Sequence, residues 1–170
     1  LLETEVIGAS KVLRNIGTFP VTNQTEYYHL YPIDFGDSRG GSLSECLYYD
    51  NELNTGGIVE RLTYYTSFAN SIPQRKVKVW MAQTDLDNFD AGAIPASKLT
   101  LVFDGKLDFT EGIGKINIQL THPFVYTGSG NLVAMVYYYD GGQPYINDNS
   151  LFAYEYMEYG PNRNAYDSWF

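Results

Sequence analysis

Apolar residues recur at every second position in several runs of this chain. Residues 115–120 display this most plainly: Ile116, Ile118 and Leu120 alternate with Lys115, Asn117 and Gln119. Side chains on a strand point to opposite faces in turn, so this period belongs to half-buried β structure. Residues 76–84 carry the same period, with Val77, Val79 and Met81 on one face and Lys76, Lys78 and Trp80 on the other. In residues 43–49, Cys46 and Tyr48 oppose Leu43, Glu45, Leu47 and Tyr49; in residues 99–104, Leu99, Leu101 and Phe103 share a phase. Residues 3–7, 11–16, 151–157 and 164–170 also read as strands, and Tyr27, Tyr28 and Tyr31 form an aromatic cluster ended by Pro32. About ten short strands, separated by turns about every 8 to 15 residues, predict an all-β fold. The expected architecture is one two-layer antiparallel β-sandwich, jelly-roll-like, over residues 1–170. Only residues 84–89 suggest helix, as a cap and a single turn.

Two runs organise this pattern. In residues 51–68, a polar turn, Asn54-Thr55-Gly56-Gly57, leads into Val59, Leu62 and Tyr64. Leu62 and Tyr64 share a face, but Val59 is out of phase by one residue, which predicts a bulge near Glu60-Arg61 in a central strand. Residues 131–139, NLVAMVYYY, are apolar at both phases and predict a central strand covered on both sides. The predicted core is Leu62, Tyr64, Val79, Met81, Leu101, Phe103, Ile116, Ile118, Leu132, Ala134 and Val136. Asp104-Gly105 reads as a turn. Lys76 and Lys78 read as an exposed sheet face or the protection of an edge strand.

Composition narrows the function classes. Net charge is -9, which disfavours nucleic acid and anionic membranes, since both select a basic face. No run approaches the roughly 20 apolar residues of a membrane span, so no membrane insertion is expected. Charged residues are only 18%, while Tyr numbers 16 and Gly 16. A tyrosine-rich, charge-poor chain that starts at Leu1 without a leader reads as an extracellular or cell-surface module excised from a larger secreted protein. The single cysteine, Cys46, excludes an internal disulfide and reads as a buried, inert thiol.

A series of short matches carries a family resemblance. They are Leu47-Tyr48-Tyr49, Glu52-Leu53, a Gly-Gly, Val59 with Leu62-Thr63-Tyr64-Tyr65, and Val77-Lys78-Val79-Trp80-Met81. Thr84 with Phe89, residues 101–105, 116–118, 122–126, Gly128 with residues 131–133, and Asn162-Arg163 follow. Together they resemble a β-sandwich module recurrent in secreted and surface proteins of Bacteroidetes and related bacteria, over roughly residues 16–170. The resemblance implies a non-catalytic part of a larger protein, either an adhesin or an accessory domain beside proteases and glycan-active enzymes. It implies no catalytic residues.

The residues themselves offer no catalytic constellation. His29 and His122 lack metal-ligand spacing, and there is no G-x-S-x-G. Asp85, Asp87, Asn88 and Asp90 fail the EF-hand template, because Phe89 and Ala96 stand at the fifth and twelfth positions, where ligands are required. Asp140, Asn147, Asp148 and Asn149 could hold calcium, which leaves metal binding open; no cofactor is expected. The carboxylates include pairs by number alone, so glycoside hydrolysis has no specific signal. Aromatic rings beside acids and amides suit sugars, whose C–H faces stack while hydroxyls bond. Tyr139, Asp140, Tyr145 and Asn147 therefore form the expected ligand site, on a polar loop (residues 140–149) after a rigid strand. Trp80 is the rival, set aside because flanking lysines suit edge protection. The expected function is adhesion or binding, with carbohydrate the ligand class. The alternative is a structural or protein–protein domain contacting other domains of the parent chain.

Overall fold

The computed structural model describes residues 2–7, 11–16, 27–28, 32–35, 40–139, 151–153 and 163–167. It is an antiparallel β-sandwich. The strands are β1 (Leu2–Ile7), β2 (Lys11–Ile16), β3 (Tyr27–Tyr28), β4 (Gly41–Tyr48), β5 (Gly57–Phe68), β6 (Ile72–Thr84), β7 (Thr100–Phe109), β8 (Gly112–Tyr126), β9 (Asn131–Tyr139), β10 (Leu151–Ala153) and β11 (Asn164–Asp167). The first sheet runs β2-β1-β5-β10-β3, with β8 on the other edge of β5; the second runs β11-β4-β9-β6-β7. From β4 onward the chain changes sheet at every connection except β6 to β7. This alternation lets inward side chains of sequence neighbours meet across the sandwich.

The period-2 pattern places the core. Leu62, Val77, Val79, Met81 and Leu132 have no exposed surface or nearly none, and Tyr64, Ile116, Ile118, Ala134 and Val136 join them between the sheets. β5 is central, paired to β8 along one edge and to β1 and β10 along the other. Its register with β8 shifts between Val59 and Arg61, which is the bulge that the phase slip at Val59 predicts. β9 is paired on both edges and buried on both faces from Asn131 to Val136.

Four expectations are corrected. Leu101 and Phe103 do not share a face. Leu101 lies opposite Trp80 and is 38% exposed, whereas Phe103 lies opposite Val79 and packs half-buried against the core. The intervening Val102 is wholly buried, and the β6–β7 register shifts at this point. A bulge thus reverses the phase that spacing implied. Asp104-Gly105 is not a turn but mid-strand in β7. The Phe103 ring lies over Gly105, where a Cβ would stand 2.8 Å from it, so the glycine is a packing residue. Thr84 ends β6 and residues 85–89 form an irregular loop rather than a helical turn; among the described residues the helical pieces are α1 (Asp50–Leu53) and a 3-10 turn at Ala96–Lys98. β6 is an interior strand between β9 and β7, so its lysines guard no edge.

One core element went unread in the sequence. Phe35, in a sequence stretch rich in glycine, is 3% exposed and sits edge-on to Phe109 at 4.8 Å and Tyr138 at 4.9 Å. Phe68 and Phe152 complete this aromatic plug. Each such pair adds roughly 0.5–1.5 kcal/mol beyond the area it buries.

Candidate binding groove on the outer face of the second sheet

The outward side chains of the second sheet lie in register rows across β4, β9, β6 and β7. Leu47, Val133 and Ala82 form one row. Glu45, Met135, Trp80 and Leu101 form the next, and Leu43, Tyr137, Lys78 and Asp104 the third. Gly41, Tyr139, Lys76 and Lys106 form the last. Adjacent rows are about 6.6 Å apart along the strands.

These rows differ in what covers them. Residues 85–99, between β6 and β7, fold back over the first row. Phe89 and Ile94 pack on Leu47 and Val133, with Ala82 and Leu99 beside them, as a small second core. Hydrogen bonds hold this cover. Asn131 Nδ2 donates to the Leu86 carbonyl at 2.8 Å, the Tyr49 hydroxyl donates to the Asp87 carbonyl at 2.7 Å, and Ile94 N–H donates to Glu45 Oε2 at 3.0 Å. The cover stops at Ala93–Ala96. Beyond it the sheet opens into a groove of about 440 Å³, floored by Met135, Trp80 and Tyr137 and flanked by Leu43 and Lys78. The covered row closes one end, and the other end leads towards Tyr139, which is 45% exposed.

Glu45 lines the closed end. It is 1% exposed, and its Oε1 has no hydrogen-bond partner. Burial raises its pKa above the ordinary carboxylate range, and the single Ile94 N–H only partly offsets that. The lysine that flanks the groove is engaged elsewhere: Lys78 Nζ is 3.0 Å from Asp104 Oδ2, with both side chains about half exposed. The groove therefore combines an indole, a phenol ring and aliphatic walls with one acceptor that the protein leaves unfilled.

Seven residues along the chain, Glu52 has the opposite surroundings. Arg163 donates to Glu52 Oε1 at 3.0 Å and to Oε2, and also to the Leu47 carbonyl at 3.0 Å, while its guanidinium lies 4.1 Å over the Tyr49 ring. Glu52 Oε2 also accepts the Tyr49 N–H at 2.8 Å, capping α1, which Asn54 ends at φ 57°. This knot ties β11 to the β4–α1 corner beside the groove.

Of the expected ligand residues, Tyr139 ends β9 on the outward face, two rows beyond Met135. Asp140, Tyr145 and Asn147 lie outside the described residues, as do His29 and the acidic group at 147–149. Trp80 is at the centre of the groove. Glu45 was missed as a site residue, although its placement between Leu43 and Leu47 on one strand face was a signal: a carboxylate in an apolar row needs a reason. Cys46 faces inward beside Tyr48, and burial pushes its thiol up to about 11, far from a reactive thiolate. Among the described residues no three His, Cys, Asp or Glu side chains gather as metal ligands, and no helix is long and apolar enough to cross a membrane. Asp87 instead lies 3.4 Å from Asn131 Nδ2. Compared with family models, with curated proteins and with solved structures, the chain matches none.

Proposed function

We propose that this domain is a non-catalytic binding module of a larger secreted or surface protein, and that it holds carbohydrate in the groove over Trp80 and Tyr137. The observation that carries this reading is the buried, unfilled Oε1 of Glu45 at the closed end of an aromatic-floored groove. A sugar ring offers a C–H face to the indole and a donor to the carboxylate, so one ligand satisfies both surfaces. Tyr139 lies about 13 Å along β9 from the Trp80 row and lengthens the aromatic track, which favours an oligosaccharide over a single ring. The tyrosine-rich, charge-poor composition supports an extracellular setting.

A glycan array probed with the wild type, Trp80→Ala and Tyr145→Ala tests the reading. Binding lost in Trp80→Ala and kept in Tyr145→Ala supports the groove. Loss only in Tyr145→Ala returns the site to the 140–149 loop. A wild type that retains no glycan favours the protein–protein alternative.

A further inference from the structure

We infer that the closed end of the groove selects a terminal sugar carrying a protonated amine, with the ammonium on Glu45 Oε1 and the ring on Trp80. The inference rests on the carbohydrate reading above and adds the group that is recognised and its position in the ligand. Two observations carry it. The first is the charge balance of the face. A buried carboxylate is costly unless it is paired, and a hydroxyl supplies a hydrogen bond but no compensating charge. Lys78 is bound to Asp104, and burial is the dominant influence on Glu45, raising its pKa. The cation that flanks the groove is thus turned to Asp104, and one buried carboxylate oxygen of Glu45 is left without a hydrogen-bond partner. An ammonium arriving with the ligand supplies both the charge and the donor.

The second observation is the shape. The Leu47–Val133 row is sealed by Phe89 and Ile94, and Ala93–Ala96 overhang the Glu45 row. A chain entering from the Tyr139 side therefore cannot pass beyond Glu45, and the residue that reaches it is a chain end. The groups facing Glu45 are Met135 and Trp80 from the neighbouring strands and Ile94 from the cover. On the other side, Ala165 of β11 stands opposite Glu45 in register, with Asp167 opposite Leu43.

Three trisaccharides that differ only at C2 provide the test: the β-1,4-linked glucosamine trimer, its N-acetylated form and the glucose trimer cellotriose. Each would be titrated calorimetrically at neutral pH, with Nα-acetyl-lysine amide as a fourth probe. The glucosamine trimer should bind at least roughly tenfold more tightly than the other two sugars, a difference of about 1.4 kcal/mol. Glu45→Gln should erase that preference while keeping residual ring binding, and Trp80→Ala should weaken all three sugars; thermal melts establish that both variants are folded. Equal binding of the three sugars would overturn the amine inference and leave the carbohydrate groove standing. An equally tight lysine probe would overturn the sugar part of it. No binding of any trisaccharide, together with an unchanged glycan-array profile in Trp80→Ala, would overturn both readings.

Discussion

Glu45 and Glu52 bracket one corner of the second sheet, and the protein treats them in opposite ways. Around Glu52 every strong group is answered. Both carboxylate oxygens accept from Arg163, the guanidinium also bonds a strand carbonyl, and the Tyr49 ring covers its face. Around Glu45 one oxygen is answered by Ile94 N–H and the other by nothing, in a less exposed position. A satisfied buried pair anchors structure, while a half-satisfied carboxylate weakens the fold that contains it. The difference teaches where to look for function. Stability alone would have filled the Glu45 position with leucine, like its neighbours Leu43 and Leu47.

The comparison can be broken at its strongest point first. Arg163→Ala should destabilise the domain by about 2–4 kcal/mol, because it strands the half-buried Glu52 carboxylate and the Leu47 carbonyl together. A urea midpoint unchanged from wild type would mean that the knot is surface decoration. The second test concerns the bulge that leaves Leu101 beside Trp80. Val102→Ala should cost about 1–3 kcal/mol through the cavity it leaves, and Leu101→Ala less than about 0.5 kcal/mol. The reverse order would restore the phase read from spacing and turn Leu101 inward.

Glu45→Gln should have a modest effect of the opposite sign, stabilising the fold by about 1 kcal/mol at neutral pH. The direction follows from linkage. Burial raises the Glu45 pKa above its unfolded value of 4.5, so the folded chain holds that proton more tightly than the unfolded one. The stabilisation this provides is complete below the unfolded pKa and is lost as pH rises through the folded pKa. The gain from Glu45→Gln should therefore be larger at pH 8 than at pH 4. Urea melts of both proteins at the two pH values check it; an equal gain at both would show that the carboxylate is not charged at a cost.

The sequence by itself determined the sandwich, the two central strands, the β5 bulge and most of the core. These follow from local alternation, which backbone geometry converts directly into faces. It also placed Leu43, Glu45 and Leu47 on one strand face, and Trp80 away from Val79. Only the tertiary structure decided which strands lie side by side. That brought Glu45, Met135 and Trp80 into one row although they stand far apart in the chain. Only the tertiary structure laid residues 85–99 over half of the outer face and left the other half open, made β6 an interior strand, and used the Val102 bulge to turn Leu101 outward. Pairing and covering are non-local: they depend on surfaces that exist only once the sheets have formed, and a period of two residues carries no record of them.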